Sequence, residues 1–232
     1  MKNLLLQKFH QVLEIVAVNG AQTLSELSAE LDIPLPTLSR LISDMTEMNL
    51  LEKIDHYRVA PASGLIRLGE CAKMHSRNYQ LLVPEIRKFS EKMQMNTVLA
   101  GMEKEIMFNL FSNSLPRNHV LTPWENGLKP VLLTMSGVPA ERCLQLFSEA
   151  HPGTSFTERM ILERELESVI REKKIFRTNT MRQWSWASAF VSRRMWLGIC
   201  FYGNAVESCS RERFDIECSM LTSHIMSAIN EE

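Results

Sequence analysis

The sequence lacks a long hydrophobic run and has few cysteines. No apolar stretch in its 232 residues approaches the roughly eighteen residues needed to cross a bilayer, and Leu4-Leu5-Leu6 is too short for a signal peptide. The five cysteines are odd in number and show no CxxC spacing, which indicates neither a disulfide framework nor a zinc site. We therefore expect a cytoplasmic protein whose cysteines are mostly buried thiols.

The sequence also lacks the motifs of the common catalytic sites. No GxSxG, HExxH, GxGxxG or P-loop spacing occurs, and the six histidines are scattered. Arg193 and Arg194 form either an anion site or a solvated turn. We predict that the chain is not an enzyme and that it uses no cofactor or metal ion.

What the sequence does contain is a helix-turn-helix pattern over residues 23–59. Thr23 and Glu26 form a capping box that begins a short helix. Pro34 ends that helix, because the residue before a proline avoids helical geometry. A second helix begins at Pro34 and Pro36, since proline is tolerated in a first turn.

The second helix is amphipathic. Its core stripe consists of Leu38, Leu41, Ile42 and Met45, at the helical spacing i, i+3, i+4 and i+7. Its opposite face carries Thr37, Ser39, Arg40, Ser43 and Asp44. Such a face suits a DNA major groove, where arginine bonds guanine and hydroxyls reach bases or phosphates. The alternative for Arg40 is an i,i+4 ion pair with Asp44.

Two short strands are predicted next, over residues 50–54 and 57–59, around a turn at Asp55 and His56. This is the pattern of a β-wing. His56 at the wing tip either touches a phosphate or the minor groove, or is only a polar turn residue. Strand alternation exposes Arg58 to a backbone phosphate.

The sequence has few positively charged residues for a DNA-binding protein. The formal net charge is -1, and residues 1–59 hold five basic side chains against eight acidic ones. Because phosphate neutralisation supplies most non-specific affinity, we expect weak non-specific DNA binding and dependence on dimerisation.

After the wing, the pattern changes to mixed strands and helices. A helix over 65–82 is predicted to link two domains, and Pro84 is predicted to open another helix. Strands are predicted at 97–100, 106–111, 120–121, 184–191 and 196–202, and helices at 139–147, 157–173 and 210–229. This mixture indicates an α+β domain with an antiparallel sheet covered by helices.

Several segments carry a family resemblance. The N-terminal ones read IPLPTLSRLISDM, YRV and RLGECA, and the C-terminal ones read LTPWENGLKPVLL, LERELESVIREKKIF and RRMWLGICFYG. Together they resemble the IclR family of bacterial transcription regulators over nearly the whole chain. Thr37, Ser39 and Arg40 match the family's DNA-facing positions, whereas Leu35 stands where a basic residue is common.

The resemblance implies the domain organisation and the partners. It implies a winged helix-turn-helix at 1–61, a linker helix at 62–82, and a GAF-like effector-binding and oligomerisation domain at 83–232. It further implies a homodimer, or a dimer of dimers, on double-stranded operator DNA. A small-molecule effector, with organic acids as the first class to test, completes the expected set of partners.

The resemblance also implies an effector pocket over the sheet. The matching positions are Asn126, Gly127, Trp186, Ala187, Cys200 and Tyr202. Cys200 and Tyr202 replace a serine pair, which removes two small hydroxyl donors and adds bulk. The alternative is that the large aromatic residues only fill the core, which predicts a tighter, aromatic or empty pocket.

These observations predict a ligand-responsive DNA-binding transcription regulator that reads its operator through residues 37–45. The alternative function is an effector-binding or protein-interaction module whose winged domain has lost specific DNA binding. The acidic balance of the N-terminal region and the missing basic residue at Leu35 favour that alternative.

Overall fold

A computed structural model describes residues 4–115, 118, 120–179, 182–192, 195–204 and 209–230. The chain divides into two compact units, residues 1–75 and residues 76–232. Within the described residues, no helix is both long and apolar enough to traverse a membrane.

The N-terminal unit is a winged helix-turn-helix. Its elements are α1 (Leu4–Asn19), β1 (Gln22–Thr23), α2 (Leu24–Leu31), α3 (Leu35–Glu47), β2 (Leu51–Lys53), β3 (Arg58–Pro61) and α4 (Ser63–His75). The three strands form an antiparallel sheet in the order β1-β3-β2. The two strands of the predicted wing are β2 and β3.

The predicted start of α2 is confirmed in detail. The hydroxyl of Thr23 accepts a hydrogen bond from the amide of Glu26 at 3.1 Å, and the Glu26 carboxylate accepts one from the amide of Thr23 at 2.8 Å. The helix ends at Asp32, which adopts a left-handed conformation. Pro34 caps α3 and Pro36 lies in its first turn, where its missing N–H costs no helical hydrogen bond.

The core of this unit follows the predicted stripe. Leu38, Leu41, Ile42 and Met45 are buried, and they pack with apolar residues of α1, α2 and the sheet. Because this stripe is fixed against the core, the opposite face of α3 is turned to solvent.

The expectation of a single linker helix over 62–82 was wrong. The structure has α4, a break at Ser76, and then α5 (Arg77–Met93). Ser76 is extended, and its hydroxyl accepts a hydrogen bond from the amide of Tyr79 at 3.1 Å, so it ends one helix and caps the next. Pro84, expected to open a helix, lies inside α5.

The C-terminal unit is an antiparallel sheet covered by helices, as predicted. After α5 its elements are β4 (Asn96–Glu103), β5 (Ile106–Asn113), α6 (Leu128–Met135), α7 (Ala140–Ala150), α8 (Phe156–Glu172), β6 (Lys174–Thr178), β7 (Gln183–Ser192), β8 (Met195–Asn204) and α9 (Arg211–Asn230). The strand order is β5-β4-β8-β7-β6. Residues 120–121, predicted as a strand, form none, and β6 was not predicted.

The sheet separates two cores. One face packs against α5 and α9 and carries Trp186, Phe190 and Phe201. The other packs against α6, α7 and α8 and carries Ala187, Cys200 and Tyr202. Because successive strand residues point to opposite faces, neighbouring residues of β7 serve different cores.

Candidate functional site

The first candidate site is the solvent-facing side of α3. Thr37, Ser39 and Arg40 are exposed there, and Ser43 is half-buried. Among the described residues Arg40 has no ion-pair partner, so the pair with Asp44 that we considered does not form. Arg40 therefore presents its guanidinium group to solvent from the middle of α3.

The wing places its two predicted contact residues differently. His56 is exposed in the turn between β2 and β3. Arg58 is also exposed, but its Nε donates to Oδ2 of Asp55 at 2.8 Å. Part of its charge is therefore neutralised inside the wing, which weakens the case for Arg58 as a phosphate contact.

Asp55 is the residue that shapes this turn. Its Oδ1 accepts hydrogen bonds from the amides of Tyr57 and Arg58, both at 2.8 Å. These two amides, together with the Arg58 side chain, hold the pKa of Asp55 below its ordinary value. A carboxylate that accepts two successive amides closes a tight turn, and this fixes the wing tip at His56.

The second candidate site is a pocket in the C-terminal unit. It has a volume of about 650 Å³, within the range of small-molecule sites. Its apolar lining residues are Leu121, Trp124, Phe147, Ile161, Leu162 and Phe176. Its polar lining residues include Glu165, Arg177, Thr178, Asn179, Gln183 and Ser185.

Three rings of the pocket lining pack on one another. The ring centroids of Trp124 and Phe147 lie 5.3 Å apart in an edge-on arrangement. Those of Phe147 and His151 lie 4.6 Å apart. His151 Nδ1 is 3.1 Å from the carbonyl oxygen of Phe147, which fixes the orientation of the imidazole.

Arg177 on β6 makes several of the polar contacts of the pocket lining. Its Nε donates to Oε1 of Glu165 on α8 at 2.8 Å, and its Nη2 contacts the other carboxylate oxygen. Its Nη1 donates to the carbonyl oxygen of Trp124 and, at 3.0 Å, to that of Glu125. Arg177 therefore joins a strand, a helix and the loop before α6.

The structure brings only part of the predicted effector set to this side of the sheet. Ala187, Cys200 and Tyr202 face the α6–α8 layer, but all three are buried and belong to its core. The Cys200 thiol donates to the carbonyl oxygen of Asn126 at 3.5 Å. Burial raises the pKa of the Cys200 thiol, so it remains a protonated core residue.

Tyr202 also fills the core rather than the pocket. Burial raises the pKa of its hydroxyl group. The expectation that large aromatic side chains fill the interior fits Tyr202.

Asn126 and Gly127 form the entry to α6. The Asn126 side chain accepts a hydrogen bond from the amide of Leu128 at 3.0 Å. Gly127 caps the helix with φ +83°, and a Cβ there would lie 3.1 Å from Cγ2 of Ile175. Both residues therefore shape the loop before α6, to which Arg177 is hydrogen-bonded. Neither is among the described residues that line the pocket.

Trp186 lies on the opposite face of the sheet. It is buried in the α5–α9 core, and its Nε1 donates to Oδ1 of Asp215 on α9 at 2.8 Å. Strand alternation prevents Trp186 and Ala187 from contributing to one site. Arg193 and Arg194 lie outside the described residues.

Ser185 is a pocket residue that the sequence analysis missed. It lies two positions before Ala187 on β7, pairs with Tyr202 across the sheet, and lines the pocket. The period of two along a strand was the signal that could have found it. Glu165 and Arg177 were missed because they meet only once β6 packs beside α8.

Comparison with known proteins agrees with this architecture. Residues 6–55 match the model of the IclR helix-turn-helix domain. No curated protein matches the chain in sequence.

Solved structures share the fold over almost the whole chain. An IclR family transcriptional regulator from Brucella abortus is 15% identical with a TM-score of 0.64, covering 98% of this chain and 91% of that one. An IclR homolog from Microbacterium hydrocarbonoxydans, complexed with 4-hydroxybenzoate, is 20% identical with a TM-score of 0.60, covering 98% and 100%. An IclR-type regulator from Alicyclobacillus acidocaldarius is 13% identical with a TM-score of 0.59, covering 100% and 99%.

The N-terminal unit thus has the fold of an IclR-type helix-turn-helix domain, and the whole chain shares the fold of the solved IclR structures. The match over residues 6–55 and the shared fold confirm the resemblance to the IclR family. The α+β fold predicted from the sequence is likewise confirmed.

Proposed function

We propose that the protein is a ligand-responsive regulator that binds operator DNA as a homodimer through α3 and binds a small-molecule effector in its C-terminal unit. The exposed face of α3 carries this proposal. Thr37, Ser39 and Arg40 are turned to solvent there by a helix whose other side is fixed in the core. This is the arrangement of a recognition helix in a major groove.

A dimer supplies the affinity that one unit lacks. Phosphate contacts provide most non-specific binding energy, and Arg58 is partly neutralised by Asp55. Two copies of α3 would meet half-sites about one helical turn apart, roughly 34 Å. An effector that binds more tightly to one arrangement of the two N-terminal units than to another would then shift the affinity of the dimer for its operator.

The pocket of about 650 Å³ is the proposed effector site. It is lined by apolar and aromatic side chains and by a few polar side chains from helices and strands, as small-molecule sites are. The complex of an IclR homolog of the same fold with 4-hydroxybenzoate supports the proposal that this chain binds a small molecule.

Selection of DNA fragments from a random pool by the purified chain tests the regulator proposal. We expect an enriched inverted repeat whose half-sites are about one helical turn apart. Selection is performed at low salt, because salt weakens phosphate contacts. Absence of any enriched sequence for a folded dimer would contradict the proposal.

An effector-binding or protein-interaction module without specific DNA binding is the second candidate. The excess of acidic over basic residues in positions 1–59 favours it. The two candidates predict opposite results in the same selection, since this module would enrich no sequence while still binding a small molecule.

A further inference from the structure

The charge of the pocket lining is unusual for a site that takes an acid. Glu125, Glu158 and Glu165 all contribute to the described lining, whereas Arg177 is its one arginine or lysine. Four donor contacts of Arg177 go to Glu165 and to two backbone carbonyls. A carboxylate ligand would therefore have to displace Glu165 to reach this guanidinium group.

Glu158 keeps a negative charge available at the rim. Its Oε2 accepts from the amide of Ser155 at 2.8 Å and from the Ser155 hydroxyl at 2.7 Å. The Ser155 amide lowers the pKa of this carboxyl. Its Oε1 has no hydrogen-bond partner within the described chain, so one carboxylate oxygen can accept from a ligand.

His151 adds a further ring to the pocket lining. Its Nδ1 lies 3.1 Å from the carbonyl oxygen of Phe147, and since a carbonyl oxygen can only accept, Nδ1 is the donor in this contact.

The aromatic lining residues suit a cation as well as an aromatic ring. The faces of aromatic rings carry negative potential and attract ammonium and guanidinium groups. The Trp124 ring already makes one such contact outside the pocket lining, because Lys129 Nζ lies 5.2 Å from its centroid. Phe147 and His151 extend the same aromatic surface.

Ser185 offers a hydroxyl group to a ligand in the pocket. It lines the pocket, and its hydroxyl has no hydrogen-bond partner among the described residues. A hydroxyl or amine of a bound molecule could therefore pair with it.

From these contacts we infer that the pocket binds a small aromatic cation, an amine or amidine carried on a ring, rather than an organic acid. The ring packs on Trp124 and Phe147, and the charged nitrogen lies toward Glu158, because both carboxylate oxygens of Glu165 are bound by Arg177. The inference rests on the proposal that this pocket is the effector site, and it names the ligand class for it.

Matched probes test the sign of the charge. Tyramine and 3-(4-hydroxyphenyl)propionate share the ring, its hydroxyl and a two-carbon arm, and they differ in the terminal group. Benzamidine and benzoate form a second pair. In titration calorimetry of the full chain at neutral pH, we expect each cation to bind at least about tenfold more tightly than its acid.

Tighter binding of the acids would overturn the inference, and so would failure of both cations to bind. DNA selection with the same protein separates these outcomes from the regulator proposal. An enriched operator together with acid binding would leave the regulator standing and reject only the ligand class.

Two variants locate the preference in the pocket. Glu165→Gln removes one carboxylate and releases Arg177, so cation affinity should fall and acid affinity should rise. Glu158→Gln keeps a capping side chain at the start of α8 and should weaken cation binding without loss of folding. Glu163→Gln, an exposed residue of the same helix outside the pocket lining, is the matched control.

The change in relative affinity for cations and acids in the two variants decides whether the inference holds. An unchanged preference in both Glu158→Gln and Glu165→Gln would overturn the inference. A melting temperature is recorded for each variant, so that loss of fold in Glu165→Gln is recognised and the milder Glu158→Gln then decides.

Discussion

Arg177 on β6 and Glu165 on α8 form a bidentate ion pair. The Nε to Oε1 distance is 2.8 Å, and both side chains are mostly shielded from solvent. Arg177 also donates to the carbonyl oxygens of Trp124 and Glu125. The two residues thus connect the wall of the pocket to the loop that leads into α6.

Arg177→Met should destabilise the C-terminal unit by about 1–3 kcal/mol, because a half-buried carboxylate and two carbonyl groups lose their donors. Urea unfolding followed by tryptophan fluorescence measures the change. Arg164→Met is the matched control, since Arg164 is an exposed residue of α8 and should change the free energy of unfolding by less than about 0.5 kcal/mol. Equal effects of the two variants would contradict a structural role for the pair.

Arg40→Ala should abolish sequence-specific DNA binding and leave the melting temperature within a degree or two, about the effect of an exposed surface substitution. Arg40 is exposed and, within the described chain, unpaired. Gel shift with the selected operator and thermal melting are measured on the same sample. Arg67→Ala, an exposed position on α4, is the control and should bind normally. A large fall in melting temperature would instead identify Arg40 as structural.

The N-terminal unit was predictable because its signals are local. The Thr23 and Glu26 capping box, the two prolines and the stripe ending at Met45 are each decided by a few neighbouring residues. The break at Ser76 was missed because the apolar pattern continues across it. Pro84 was predicted to begin a helix but lies inside α5, because tertiary context can override the low helix propensity of proline.

The pocket was less predictable because it is assembled from distant segments. Asn126, Gly127 and Cys200 match family positions, but the structure uses them to build the α6 entry and the core. Trp186 was assigned with Ala187 although adjacent strand residues face opposite sides. The pairing of Arg177 with Glu165 depends on tertiary packing, which composition and periodicity do not reveal.

Two glycines should respond oppositely to alanine. A Cβ at Gly198 would lie 2.7 Å from both Leu128 and Leu132, which are fully buried, so Gly198→Ala should cost about 1–3 kcal/mol through overpacking. At Gly69, inside α4, nothing lies within 4 Å of the added Cβ. Gly69→Ala should therefore stabilise the N-terminal unit by about 0.5–1 kcal/mol. Urea unfolding of both variants is the measurement, and a stable Gly198→Ala protein would contradict the tight packing of α6 on β8.

The wing should open in acid. The amides of Tyr57 and Arg58 and the Arg58 side chain lower the pKa of Asp55 from its ordinary value of 3.8. Because the folded pKa is depressed, the contribution to wing stability is complete above 3.8 and is lost as the pH falls through the lower folded value. Amide chemical shifts of Tyr57 and Arg58 followed against pH should titrate with a midpoint below 3.8. A midpoint at or above that value would show that the turn is not held by this carboxylate, and Asp55→Asn should remove the transition.

The cysteines should differ sharply in reactivity toward a thiol-specific alkylating reagent. Cys71 is exposed, whereas Cys143, Cys200 and Cys218 are buried. Burial raises the pKa of the Cys143 thiol to about 11 and that of Cys218 as well, so little thiolate is present at neutral pH. We expect rapid modification of Cys71 in the native protein and modification of the three buried thiols only after denaturation.

Mass spectrometry of proteolytic peptides at successive times measures the order of modification, with Cys71→Ser as the control that removes the fast phase. Early labelling of Cys200 in the native protein would show that the layer beneath α6 opens to solvent, which would make Cys200 available to a ligand after all.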